Sequence, residues 1–338
     1  MTEAKPRVRR RGLKTWTAFG NLGRRPSEYE IVTHNMNHTT NGLELGPEVN
    51  GNRWLQEHRD GMRLTVADWD GFRDPDQVTY ASYMAEQDDQ ETYIEGLLEQ
   101  FDREGHDESL SDDALELLGK ALTPCRYLGH GLQMLSANVQ QLAVSSYVSN
   151  CAVFQTADQL RRVQLNAYRT TQLKLSHESR GFGTGERDSW ENDADWQPIR
   201  KAVELALVDF DWDRAFTATN LVVKPVADAL FLDQLSKQAA EVGARLDELI
   251  LENLLRDVAR SRRWTAALGQ FVTDADEANR GVLQEYVDEL APLGQAMIDG
   301  GSSLLASWGS RKAEDIAADV RSSWSELLES AGLRLDAA

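Results

Sequence analysis

Hydrophobic and polar positions follow two regimes along this chain. Up to residue 75 there is no sustained period. Pro6, Pro26, Pro47 and Pro75 punctuate the segment, Gly and Asn are frequent, and Trp16, Phe19, Tyr29, Trp54, Trp69 and Phe72 are scattered among polar residues. A stretch of this length without its own periodicity forms no core by itself, which predicts that it lies across another surface. After Asp74-Pro75 the spacing turns helical. Residues 76–105 lack proline and place Val78, Tyr83, Tyr93, Ile94, Leu97, Leu98 and Phe101 in patches of helical spacing. Ser111 is an N-cap for "DDALELLGKALTP". Residues 125–175 predict two long helices broken near residues 145–150. "RGFGTGERDSW" reads as a glycine-rich turn, and Pro198 as the first-turn proline of a helix reaching residue 208. "WDRAFTATNLVVKPVADALFLDQLSKQAAEV" reads as a helix disturbed at Pro225. Two strongly periodic helices and a final amphipathic one follow. No repeat of 20–50 residues occurs.

The pattern predicts an all-α chain with helices of 25 residues or more, well above the usual mean. Three parts are expected: residues 1–75, an extended N-terminal arm and irregular segment docking on a partner; residues 76–310, a long-helix domain; and residues 311–338, a C-terminal amphipathic helix.

Composition narrows the function classes. The 338 residues suffice for a sizeable core, and the net charge of −19 argues against nucleic acid as a partner. The charge is uneven: residues 1–25 hold eight Lys/Arg and one acid, Glu3. Such an arm can bind nucleic acid, its own body or another subunit, and Trp16 and Phe19 favour docking, since large aromatics anchor interfaces. No continuous apolar run of about 18 residues is present, so no membrane span is expected. Cys125 and Cys151 make neither a disulfide framework nor a zinc site, which fits a reducing cytoplasm.

Most catalytic patterns are missing. His34 and His38 have an i,i+4 spacing, but "THNMNHTT" is a poor helix former. None of the six histidines has Glu three residues before it, so the Glu-x-x-His of carboxylate-bridged di-iron bundles is absent. There is no P-loop, no G-x-S-x-G and no dinucleotide fingerprint. One fragment does recur. Asp158-Gln-Leu-Arg161-Arg162 and Asp257-Val-Ala-Arg260-Ser261 share Asp-x-x-Arg on stretches that read as long helices.

These fragments resemble the Asp-Glu-x-Arg-His found twice in the large subunit of soluble bacterial multicomponent monooxygenase hydroxylases. There Glu and His bind iron while Asp and Arg form a surrounding shell. Carried over by position, the vacated ligand positions are Gln159 and Arg162 in the first copy and Val258 and Ser261 in the second. Two further carboxylate positions fall near Gly129 and on Lys224. The scaffold of a di-iron site without its ligands is similar to the β (small) subunit of these hydroxylases. "RRPSEYEIVTHNMNHTT", the stretch from Trp54 to Asp102 and "TATNLVVKPVAD" strengthen the resemblance to the toluene, phenol, propane and methane branches. It spans roughly residues 15–305, and the propane 2-monooxygenase small subunit is the nearest in look.

The resemblance implies a ferritin-like, ribonucleotide-reductase-like bundle with no catalytic residue, no metal and no cofactor of its own. The partners it implies are an iron-bearing α subunit in an α2β2 core, with or without γ, a coupling protein, and an NADH reductase carrying FAD and a 2Fe-2S cluster. Trp16, Phe19, Arg24, Arg25 and Tyr29 are the expected subunit contacts. Arg162 and Lys224 are expected to point inward and pair with Asp158, Asp257 or another acid. Two alternatives stand beside this reading: a stand-alone ferritin-like di-iron oxidase using Glu86, Glu91, Glu95 and His130, and a helical scaffold unrelated to oxygenases.

Overall fold

The computed structural model of the chain describes residues 19, 20, 22–34, 36 and 50–335. Among them the ordered elements are helical. In chain order they are α1 (Glu28–Thr33), α2 (Asn50–Asp60), α3 (Tyr80–Arg103), α4 (Asp112–Leu117), α5 (Cys125–Gln141), α6 (Ser146–Ser176), α7 (Glu186–Asn192), α8 (Gln197–Ala206), α9 (Trp212–Val242), α10 (Arg245–Ala275), α11 (Glu277–Leu305) and α12 (Ala313–Ser330).

Local chemistry sets the boundaries. Ser145 breaks α5 from α6: its hydroxyl accepts from the Val148 N–H and caps the first turn of the 31-residue α6. Thr79 and Ser82 form a reciprocal cap at the start of α3. Ser111 caps α4 through the Ala114 N–H at 3.1 Å. Gly181 and Gly183, both at positive φ, make the turn before α7. Pro225 neither ends nor breaks α9. It sits between two wider π-helical stretches, Thr217–Val223 and Ala229–Gln234, which absorb its missing N–H.

Helices α5, α6, α9 and α10 form the middle of the bundle, with α3, α8, α11 and α12 around it. α9 is apolar enough over an 18-residue window to cross a membrane by length and hydropathy, although its charged residues keep it from being a continuous apolar run. That window is entirely buried inside the bundle, so its apolar character is spent on packing. Trp196, Trp212 and Trp324 are the three tryptophans buried most completely. Each indole N–H reaches a backbone carbonyl, on Lys120, Val139 and Leu221 respectively. Gly294 lets α11 close onto Trp324: a Cβ there would stand 2.5 Å from the indole.

The N-terminal segment clasps the chain's own body. Tyr29, Leu64 and Phe72 are buried in the main core. Backbone N–H groups of Arg63 and Leu64 donate to the Asp213 carboxylate, and Thr65 exchanges hydrogen bonds with Asn279. The surface expected to receive this segment is therefore, for these residues, the same chain.

Candidate functional site

The two repeated fragments meet at the middle of the bundle, and their charges are exchanged between helices. Asp158 on α6 accepts from Arg260 on α10 at 2.6 Å, and Asp257 on α10 accepts from Arg161 on α6 at 3.1 Å. Arg260 also reaches Asp257 at 3.2 Å, within its own helix. All four residues are less than one-tenth exposed. α3 closes the quartet from outside. Tyr83 donates to Asp158 at 3.0 Å, while Gln87 and Gln90 donate to Asp257 at 3.0 and 3.2 Å. Glu86 takes the second arm of Arg260 at 2.7 Å, and Glu91 takes the Arg161 Nε. Burial, with Asp257 close by, pushes the Asp158 carboxyl up to about 7, against the opposing pull of Arg260 and the Tyr83 hydrogen bond.

One turn along α6 the chemistry changes. Arg162 and Lys224, 5% and 3% exposed, both point inward. They share one acid that sequence analysis did not single out: Asp228, at 3.1 Å from Arg162 Nη1 and 2.6 Å from Lys224 Nζ. Two cations therefore stand on a single carboxylate. Beside them, neutral groups fill the centre. Ser261 and Asn220 both donate to the Gln155 Oε1, at 2.8 and 3.0 Å, and Gln155 in turn donates to Ser136 at 3.0 Å. Asn220 also donates to Thr265 at 3.0 Å. Gln159 is buried, and its Oε1 has no protein partner. Val258 is only partly buried and packs at the edge of the core. At Gly129 a Cβ would stand 2.9 Å from Val163 Cγ2, so α5 approaches α6 too closely for a carboxylate side chain. Two buried cations, a hydroxyl, an amide and a glycine crowded by Val163 do not fit a di-iron centre, which takes carboxylate and imidazole ligands.

A third buried pair continues the line. Arg169, seven residues beyond Arg162, holds Asp247 with two hydrogen bonds of 2.9 and 3.0 Å and also reaches Asp107. Sequence analysis missed Asp228, Asp247 and the α3 amides. Asp228 had one signal: Lys224 and Asp228 stand at i,i+4 inside an otherwise apolar stretch, where a lone charge is costly. The others come from distant segments and leave no local trace.

The alternative ligand set is not assembled. Glu86 and Glu91 neutralise the two arginines of the quartet, and Glu95 and His130 are exposed on α3 and α5. Among the described residues no group of three or more His, Cys, Asp and Glu is placed to hold a metal ion. His34 lies against Phe19, with ring centroids 4.6 Å apart, and His38 is outside the described residues. Both cysteines are buried thiols, and burial pushes Cys125 up to about 12.

The expected subunit contacts divide. Trp16 lies outside the described residues. Phe19 is half-buried, and Arg25 is exposed. Arg24 folds back onto the buried Glu30 through two 2.7 Å hydrogen bonds, which hold that carboxyl well below the usual range. Tyr29 requires correction as a contact residue. It is 3% exposed and its hydroxyl accepts from the Asp74 N–H, so its ring belongs to this chain's core and is not offered to a partner.

Comparison with known proteins fits this geometry. Residues 54–276 match the model of the methane/phenol/alkene hydroxylase family. The chain belongs to that family. The β subunit of the toluene-4-monooxygenase hydroxylase component from Ectopseudomonas mendocina is 36% identical over 299 residues, covering 87% of this chain and 91% of the relative. The propane 2-monooxygenase hydroxylase small subunit of Gordonia sp. (strain TY-5) is 27% identical over 169 residues, covering 48% and 45%. Of these two, the toluene relative matches at higher identity and over more of the chain, whereas the sequence motifs leaned towards the propane branch. Among solved structures, toluene 4-monooxygenase with toluene bound in its resting active site gives a TM-score of 0.82 at 35% identity, covering 90% of this chain and all of that one. Xenon-pressurized phenol hydroxylase from Pseudomonas sp. OX1 gives 0.84 at 21% identity over the full length of both, which bears on the fold alone. The family member described here thus has the all-α, ferritin-like fold of hydroxylase subunits.

Proposed function

We propose that this chain is the β (small) subunit of the hydroxylase of a soluble di-iron monooxygenase. Its role is to scaffold a larger, iron-bearing subunit rather than to react with oxygen. The observation that carries the reading is the Arg162–Lys224–Asp228 triad. Arg162 and Lys224 occupy two of the positions that the resemblance carries over as iron ligands, and Asp228 holds both cations. Family membership and a relative named as a β subunit support the same role. The assembly is an α2β2 core in the cytoplasm, with or without γ. Iron sits in α, electrons arrive from NADH through an FAD and 2Fe-2S reductase, and a coupling protein gates the site. The substrate is a hydrocarbon whose identity is set by the α pocket. Residues 1–25 contribute to subunit contacts through Trp16, Phe19 and Arg25. The test is co-expression with the neighbouring large subunit carrying two Asp-Glu-x-Arg-His motifs. The two chains co-purify at equal stoichiometry, and hydroxylation requires both. A large subunit that is fully active without this chain overturns the proposal.

A further inference from the structure

α6 keeps an apolar stripe on its outer side. Val153, Ala157, Leu160, Tyr168 and Leu175, with the polar Gln164 and Thr171 between them, follow a 3–4 spacing, so they lie in one row along about 33 Å of helix. Leu160, Tyr168 and Leu175 are 43, 52 and 80% exposed, and Val153 and Ala157 are half-buried. Isolated exposed apolar residues need no explanation, but a row at this spacing is what helix-on-helix packing uses. Beside the row, α3 raises a wall of Glu91, Glu95, Glu99 and Asp102, spaced i, i+4, i+8 and i+11. Between wall and row runs a groove of about 520 Å³ floored by Ile94, Leu98 and Leu165. Its one cation, Arg161, is committed to Asp257, Asn253 and Glu91.

We propose that this groove and row receive a long amphipathic helix of the large subunit, with an apolar 3–4 stripe set on α6 and Lys/Arg residues along the edge that faces α3. The proposal rests on the β-subunit reading above and adds the face and the chemistry of the partner to it. Charge decides the occupant. Glu91 is already met by Arg161, and Glu95, Glu99 and Asp102 are left to meet cations from a partner. A second copy of this chain, itself at −19, brings the wrong sign. The chain's own basic segment has the right sign but the wrong pattern. Residues 1–18 contain Pro6 and Gly12, which interrupt the pattern of a helix long enough to fill the row.

The test uses the full chain and the neighbouring large subunit, with binding measured by sedimentation at several salt concentrations. Leu160→Asp with Tyr168→Asp weakens association roughly 100-fold, as loss of two central anchors does, while the melting temperature of the isolated chain stays put because both positions are exposed. Glu95→Lys with Glu99→Lys also weakens binding, and it abolishes the loss of affinity that salt causes in the wild type. If the wild type fails to bind the large subunit at all, the β-subunit reading falls and this inference with it. If the wild type binds and both variants bind as tightly, only the face is wrong. A wild-type homodimer that the Asp variant dissolves overturns the choice of partner. Thiol labelling of a Tyr168→Cys variant in the isolated chain tests the last occupant. Fast labelling, unchanged by removing residues 1–18, supports the proposal; slow labelling that the truncation speeds overturns it.

Discussion

Asp158 and Asp257 are each met by an arginine from the opposite helix, whereas one turn along α6 a single acid, Asp228, serves both Arg162 and Lys224. The two layers are similarly buried but share only α6. In the first, charges of opposite sign alternate across the α6–α10 contact, and neutral donors from α3 complete the carboxylates. In the second, the positive charge comes from α6 and α9, and the only counter-charge lies on α9 four residues from one of its partners. The first layer ties helices together in a fixed register. The second gathers two cations on one carboxylate and leaves the Arg162 Nη2 without a protein partner. Burial alone therefore does not decide what a charged group does. The helix from which its partner comes does.

The sharpest way to break the comparison is to remove the shared acid. Asp228→Ala leaves two buried cations on no carboxylate and is expected to cost about 3–5 kcal/mol in urea unfolding; a loss below about 1 kcal/mol shows that water or anions already screen the site. Arg162→Ala leaves Lys224 on Asp228, so its expected cost is smaller, about 2 kcal/mol, and the specific activity per iron of the assembled hydroxylase stays near normal. A cost equal to that of Asp228→Ala means that Lys224 does not compensate. Gly129→Ala tests the close approach of α5 to α6. Its Cβ needs Val163 to shift by a few tenths of an ångström, so a loss of about 1–2 kcal/mol is expected.

The smallest effect at neutral pH, and the one that sharpens the contrast, concerns Asp158. Its carboxyl titrates near 7 in the folded chain and near 3.8 when free. Because the folded value is raised, wild-type stability from this group is full below about pH 4 and is lost as pH rises towards 7. Asp158→Asn removes that titration. Its stability relative to wild type therefore rises between pH 4 and 7 in thermal unfolding, on top of a pH-independent offset between Asn and the neutral carboxyl. A difference that is flat, or that falls with pH, shows that Asp158 is ionised throughout.

The bundle was legible because it is written locally. Ser111, the break before α6, Pro198 and the long periodic runs that became α10 and α11 are read within a few residues of one another. α1 and α2 were not read, since six polar-flanked residues and a helix with no buried residue leave little period to detect. Pro225 was seen, but its outcome was not. A proline predicts a disturbance, and only the packing around α9 shows that π-helical turns absorb it. At the candidate site the two Asp-x-x-Arg fragments were visible, as were the inward cations. The crossing of Asp158 to Arg260 was not, because that pair is 102 residues apart in sequence. Tyr29 misled for a related reason: an aromatic in an aperiodic segment looks like an anchor for a partner, and whether it anchors to a partner or to its own chain depends on where that segment returns.

The central claim is that this chain has the fold of a di-iron hydroxylase subunit but buries Arg162, Lys224 and Asp228 where the resemblance implies metal ligands. The direct measurement is elemental analysis of the separated chain after co-expression with its large subunit and iron loading. Well under one iron per chain is expected, with the iron recovered in the large subunit; two irons per chain on this subunit would contradict the account.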